Sequence, residues 1–202
     1  MTIWREKQPP VLASQSRTRQ ILLANAGISF DAVPADIDER ALQKNSGLVA
    51  PGEIAGLLAC EKASFVSSNN PARYVIGADQ TLALGNRLFS KPAGRAQAAE
   101  QLRLLAGHTH ELHSAVAVAR DGKILFSDVV VARMTMRRLD ESEIEAYLDR
   151  AGQAVTTSVG AYQLEGLGVH LFERIEGDHF TILGLPLLQL LAFLRGEGLL
   201  SV

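Results

Sequence analysis

VLASQSRTRQILLANAG, residues 11–27, passes from an apolar triplet through two serines and two arginines into an apolar helical repeat that ends in glycine. Within "PPVLAS" the apolar residues read as a strand. Ile21, Leu22 and Leu23 then read as the buried face of a helix that Gly27 stops. Ser16 stands where an N-cap residue belongs. A strand running straight into a helix is the building unit of an α/β fold, and its turn presents free backbone N–H groups at the positive helix end. Phosphate oxygens fit such a turn. The Ser14 and Ser16 hydroxyls add donors there, and Arg17 and Arg19 add charge with forked hydrogen bonds. No glycine lies between Val11 and Leu23 and no Gly-Lys-Ser/Thr follows, so this is not a P-loop. The plain alternative is that Ser16 only caps the helix and both arginines are solvated.

Outward from this stretch, short apolar runs alternate with helical segments, without repeats or low-complexity linkers. "FDAVPADI" reads as a second strand leading to an acidic loop around Asp36, Asp38 and Glu39. Pro51 opens a helix that carries Lys62. "RYVIGADQTLAL" reads as a buried strand with Asp79 at or near its end, followed by the turn "LGNR" and then "LFSKP" with Lys91. "AGRAQAAEQLRLLAG" is the next helix. "THELHSAVAVARDGKILFSDVVVARMTMRRL" predicts two long antiparallel strands joined at "RDGK", because Asp-Gly suits tight hairpins. "DESEIEAYLDRAG" predicts a helix with a capping box between Asp140 and Glu143. A Gly-rich loop "SVGAYQLEGLG", a strand around "VHLFERI" and a last helix near "PLLQLLAFLR" complete the chain. Parallel connections through helices, mixed with hairpins, imply a mixed sheet in an α/β fold.

The chain has 202 residues, enough for one large domain or two small lobes sharing a cleft. With 47% hydrophobic and 21% charged residues it is neither disordered nor fibrous. A net charge of −2 excludes the overall basic bias of a protein that gains its affinity from a nucleic-acid backbone, so no nucleic-acid partner is expected. The single cysteine, Cys60, excludes an intrachain disulfide and fits a reducing compartment; the cytoplasm is the expected location. The N-terminal "MTIWREKQPP" has no apolar signal core, and Pro186, Arg195 and Glu197 interrupt the longest apolar stretch, so no membrane span is expected.

Asp36, Asp38, Glu39 and Asp79 supply hard oxygen ligands suited to magnesium, and Lys62 and Lys91 could neutralise a polyphosphate. "ADIDE" by itself fits an ordinary solvated loop. Asp79 differs, since an apolar strand delivers it, and ligands in α/β folds bind outside the C-terminal ends of strands. "HTHELH" invites a metal reading, but His108 and His110 lack the helical His-Glu-x-x-His arrangement and any cysteine partner. His113, His170 and His179 read as packing or surface residues. Cys60 reads as core, Ser158 lacks a nucleophile elbow, and Tyr162 either stacks on a base or packs.

Taken together, "LASQSRTRQILL", "DIDE", "CEKA", "VIGADQ", "SKP", "LAGHTHELHSAVAV", "LDESEIEAYL", "VGAYQLEGLG", "FERIEGD" and "LGLPL" resemble, in order and spacing, the Maf-type nucleoside triphosphate pyrophosphatase family. That family was once named for inhibition of septum formation. The resemblance covers nearly the whole chain and implies a single domain over residues 1–202. It also implies an elongated mixed sheet flanked by helices, two lobes around a cleft, similar to inosine-triphosphate pyrophosphatases, and a homodimer. The implied reaction is metal-dependent hydrolysis of nucleoside triphosphates to monophosphates and pyrophosphate, with Mg2+, or alternatively Mn2+, as cofactor. By resemblance, Ser14, Ser16, Arg19, Lys62 and Lys91 hold phosphates, Glu39 and Asp79 hold the metal, and Asp79 accepts the proton.

One motif departs from the family. Its usual Ser-x-Ser-Pro-Arg-Arg is "SQSRTR" here, with Arg17 for proline and Thr18 for the first arginine. Thr18, Gln80 and Glu165 occupy the family's specificity positions. All three differ from the pyrimidine-directed branch, whereas Gln80 and Glu165 resemble the 7-methyl-GTP branch, which typically carries tryptophan at the Thr18 position. A carboxylate at Glu165 suits the adjacent N–H donors of guanine, while Thr18 offers no aromatic face to a cationic base. The competing readings are a 7-methyl-GTP-preferring enzyme, a noncanonical-purine pyrophosphatase, and a nucleotide-sensing module in cell-division control that turns nothing over.

Overall fold

Strand β1 (Val11–Ala13) lies between two parallel neighbours, β2 (Asp31–Ala32) and β3 (Val75–Leu84), in a computed structural model that describes residues 3–202. Leu12 pairs with Ile76 and Ala13 with Gly77. The ten-residue β3 outruns β1, and its far end pairs antiparallel with β4 (Arg87–Phe89), Leu82 opposite Phe89. Long strands β5 (Thr109–Arg120) and β6 (Lys123–Met136) follow, and β7 (Phe172–Glu176) pairs antiparallel with β6. The sheet order is β2-β1-β3-β5-β6-β7, with β4 on β3, which makes seven strands of mixed direction.

Helices α1 (Arg17–Asn25), α2 (Glu39–Ser46), α3 (Pro51–Ser68) and α4 (Arg95–Leu105) belong to the first half. Helices α5 (Glu141–Ala151), the short α6 (His179–Ile182) and α7 (Leu187–Gly196) belong to the second. Several begin where the sequence predicts. Ser16 Oγ accepts from the Arg19 N–H at 3.5 Å, Pro51 sits at N1 of α3, and Asp140 and Glu143 form a reciprocal capping box. Asp121 and Gly122 both adopt positive φ, 53° and 75°, as a two-residue hairpin turn requires between β5 and β6.

Three expectations need correction. The second strand is only Asp31–Ala32, because Pro34 and the acidic residues after it leave no further ladder. The strand expected around "VHLFERI" starts at Phe172, since Leu167–Leu171 form a 3-10 turn. Asp79 lies mid-strand, because β4 extends β3 beyond the point where β1 stops.

The chain divides into two compact units. One contains Met1–Gln80, Ser114–Val130 and His179–Val202; the other contains Thr81–His113 and Val131–Asp178. In the first unit the strand alternation sorts side chains onto two faces. Leu12, Ile76, Ala78, Val116 and Val118 pack with Leu22, Leu23, Leu190 and Leu194 of α1 and α7. On the opposite face Val11, Ala13 and Val75 pack with Val66 of α3, and Ala115, Ala117 and Ala119 pack with Ala55, Ala59 and Ala63. No helix among the described residues is long and apolar enough to cross a membrane.

Candidate active site

Strand parity carries Asp79 to the α3 face, in step with Val75 and Gly77. Gly77 brings that helix close: a Cβ there would stand 2.3 Å from the Ala59 carbonyl oxygen and 2.7 Å from the Ala63 nitrogen. At this spacing the Lys62 ammonium reaches across and donates to Asp79 Oδ1 at 2.6 Å, with Glu39 Oε1 at 2.7 Å. Lys62 and Asp79 are both buried, whereas the Glu39 side chain is 50% exposed. Sequence alone placed Glu39 in an acidic loop. It is instead the first residue of α2, behind an N-cap at Asp38 whose carboxylate accepts from Ala41 N–H.

Burial raises the Asp79 carboxyl above its ordinary pKa, and the Lys62 ammonium and Arg19 guanidinium pull it the other way. The buried ammonium is well matched here, since a lone charge of either sign in this place would be costly. Arg19 is itself pulled below its ordinary value by burial, against the raising influence of Asp79 and Glu39.

The turn between β1 and α1 has the form expected from sequence. Ser14 is buried and its Oγ accepts from Ser16 N–H at 3.2 Å and Arg19 Nη1 at 3.3 Å. Arg17 is exposed at the first helical position, so the helix starts on schedule without proline. The Arg19 fork also donates from Nε to the Gly184 carbonyl at 2.7 Å and from Nη1 to the Ala78 carbonyl at 2.9 Å. Gln80 points to the face opposite Asp79, and its amide donates to Ser114 Oγ at 2.8 Å and to the Thr181 and Ile182 carbonyls at 3.1 Å each. Sequence reading missed Ser114, Thr181 and Gly184. The available signal was a polar residue in step with the core positions Val116 and Val118, and a glycine in "TILGLPL".

The first unit therefore brings together Ser14, Ser16, Arg19, Glu39, Lys62 and Asp79, with Thr18 and Gln80 beside them in sequence. Lys91 and Glu165, both exposed, belong to the second unit. That unit holds a cavity of about 310 Å3 lined by Arg137, Tyr147, Arg150, Leu167, His170 and Leu171, none of them a residue singled out for the site. In the same unit His110 is fully buried, with Nε2 2.7 Å from Tyr162 Oη, and desolvation pulls its pKa down to about 4. Tyr162 lies edge-on to Phe172 and packs in the core.

Among the described residues no group of three or more His, Cys, Asp or Glu side chains could hold a metal ion. Glu39 Oε1 and Asp79 Oδ1 both meet the Lys62 ammonium, which fills the point between them, so a metal ion would take the second oxygen of each carboxylate. Two carboxylates fit a magnesium ion that takes its other ligands from water and substrate phosphates.

The first unit is a mixed α/β fold with a buried carboxylate gripped by lysine and a serine-capped helix start, a kind of helix end that suits phosphate oxygens. The family model described as Maf-like protein matches residues 9–197. A nucleoside triphosphate pyrophosphatase of Bradyrhizobium diazoefficiens is 70% identical over 202 residues, covering 100% of both chains. One of the same name from Rhodopseudomonas palustris is also 70% identical over 202 residues, 100% of both. A 7-methyl-GTP pyrophosphatase of Brucella abortus is 53% identical over 190 residues, covering 93% of this chain and 95% of the relative. The chain belongs to the Maf-like protein family.

Proposed function

We propose that this protein hydrolyses nucleoside triphosphates to nucleoside monophosphates and pyrophosphate, with Asp79 as the base. The observation that carries the reading is the buried Lys62–Asp79 contact of 2.6 Å, with Glu39 on the same ammonium and Ser14, Ser16 and Arg19 in the same unit. The names of the relatives support the substrate class.

In this scheme a water oxygen bonds to the α-phosphorus as the bond from that phosphorus to the bridging oxygen breaks, so pyrophosphate leaves. Asp79 takes the water proton. A carboxyl made more basic by burial is better suited to that transfer near neutral pH than an exposed one. Lys62 and the hydroxyls of Ser14 and Ser16, all in the first unit, stabilise charge growing on the phosphate oxygens, and one preorganised contact of this kind contributes about 3 kcal/mol. Glu39 and Asp79 would hold a magnesium or manganese ion, which supplies charge neutralisation and polarises the phosphoryl oxygens when bound. The reading extends to a cytoplasmic homodimer: the dimer rests on the family resemblance, and the location on the sparse cysteine content.

A panel of nucleoside triphosphates with pyrophosphate detection, with and without Mg2+, tests the scheme. Pyrophosphate and monophosphate in equal amounts support it; tight binding without product identifies a sensing module. A 7-methyl-GTP preference is the second reading, favoured by the Brucella abortus relative. A top rank for 7-methyl-GTP in that panel establishes it, and a top rank for inosine triphosphate moves the protein to the noncanonical-purine class.

A further inference from the structure

We infer that Gln80 and Arg19 are positioning residues which pin the strand under Asp79 from the opposite face of the sheet, by latching the turn at Thr181–Gly184 onto β3. This rests on the reading of Asp79 as the base.

Ala78 and Gln80 flank Asp79, and each is tied to the same turn. The Ala78 carbonyl accepts from Arg19 Nη1 at 2.9 Å, while Arg19 Nε donates to the Gly184 carbonyl at 2.7 Å, so one guanidinium bridges strand and turn. Its rigid fork is suited to holding two acceptors at a fixed angle, which an ammonium cannot do. On the other flank the Gln80 amide group faces Ser114 Oγ and the Thr181 and Ile182 carbonyls. Two peptide oxygens demand the NH2 end of the amide, which fixes its orientation. Ser114 Oγ passes the chain on, donating to the Thr181 carbonyl at 2.6 Å. Ser114 and Thr181 are fully buried, where polar groups bonded in series hold one arrangement.

Gly184 completes the latch. Its φ is +90°, and an added Cβ would stand 3.4 Å from Arg19 Nε and 3.5 Å from Gln80 Oε1, so the turn lies against both side chains. With its NH2 end turned inward and Oε1 over Gly184, the Gln80 amide is committed to the protein rather than to a nucleobase. Arg19 likewise has its Nε and Nη1 engaged on carbonyl oxygens. These two residues act on the reaction through Asp79, whose carboxylate must stand within hydrogen-bond reach of the attacking water.

The test measures kcat, KM and the ranking of GTP, UTP and CTP for Gln80→Leu and Arg19→Lys beside wild type and Asp79→Asn. A small displacement of a reacting group lowers kcat by about 10- to 100-fold. The expected result is that loss in both variants, with KM within about 2-fold of wild type and the ranking unchanged. A changed ranking in Gln80→Leu with full kcat on its best substrate overturns the inference in favour of base recognition. A raised KM with unchanged kcat in Arg19→Lys overturns it in favour of a phosphate contact. Should Gln80→Leu not fold, Ser114→Ala, which removes one of the three acceptors, is read by the same criteria. Full activity in Asp79→Asn defeats the underlying reading instead, and so separates the two failures.

Discussion

Replacing Lys62 by methionine keeps most of the side-chain volume and removes the ammonium between Asp79 and Glu39. Lys62 Nζ and Asp79 Oδ1 are 2.6 Å apart with both side chains 11% exposed, so solvent compensates little for the lost cation. Breaking a buried pair by deleting one member costs about 3–5 kcal/mol, because the other charge stays behind. Glu39 contacts the same ammonium at 2.7 Å but is 50% exposed, and Glu39→Gln therefore costs about 1 kcal/mol or less. Equilibrium unfolding in urea at pH 7 compares the two directly. The Lys62→Met penalty shrinks on acidification: burial raises the Asp79 pKa, and deleting the lysine removes an influence that lowers it. A carboxyl with a raised folded pKa binds its proton in the folded chain before the unfolded one, so stability is regained as pH falls through that folded value. Lys62→Met/Asp79→Asn, with neither charge, recovers most of the loss. If Lys62→Met costs no more than Glu39→Gln, or if its penalty stays constant as pH is lowered toward the ordinary aspartate value, the pair does not carry the buried charge as described.

Asp79→Asn leaves the buried Lys62 ammonium to Glu39 alone, so it costs stability, and it lowers pyrophosphate release per folded molecule by at least about 100-fold, read in the substrate panel. In wild type the acid limb of kcat/KM is shifted upward from the ordinary aspartate value, because burial raises Asp79 and the base works only when ionised. His110, held down at about 4 by burial, makes the folded chain bind its proton later than the unfolded one as pH falls from the ordinary 6.5. Stability therefore drops by about 3 kcal/mol over that interval, and His110→Phe flattens the urea-unfolding profile there. Gly77→Ala drives a methyl into the Ala59 and Ala63 backbone and costs about 1–3 kcal/mol or more, seen as a lower Tm together with reduced turnover.

Local chemistry made much of this legible in the sequence. Ser16 as N-cap, Pro51 at N1, the Asp140–Glu143 capping box and the Asp-Gly turn each depend on residues within four positions of one another, and each stands in the structure as read. The mixed α/β class followed from the same order of elements. The length of β3 was not legible, because whether "DQTLAL" continues the strand depends on a partner, Arg87–Phe89, beyond a turn. Lys62 and Asp79 were singled out separately, but their pairing required α3 to cross the sheet at Gly77, which no spacing along the chain expresses. Gln80 shows the same limit more sharply. Its partners lie 34, 101 and 102 residues away, so its three hydrogen bonds leave no local pattern.

Where α3 meets the sheet, Ala55, Ala59 and Ala63 on the helix face Ala115, Ala117 and Ala119 on β5. Six methyls and one bare glycine set a gap that a single lysine can bridge, making the layer of smallest side chains a ruler for the most highly charged contact in this unit. Thickening that layer by a valine or leucine would leave both charged groups in the chain and lift one out of the other's reach. Packing variants far from any phosphate should therefore mimic the loss of Lys62 itself.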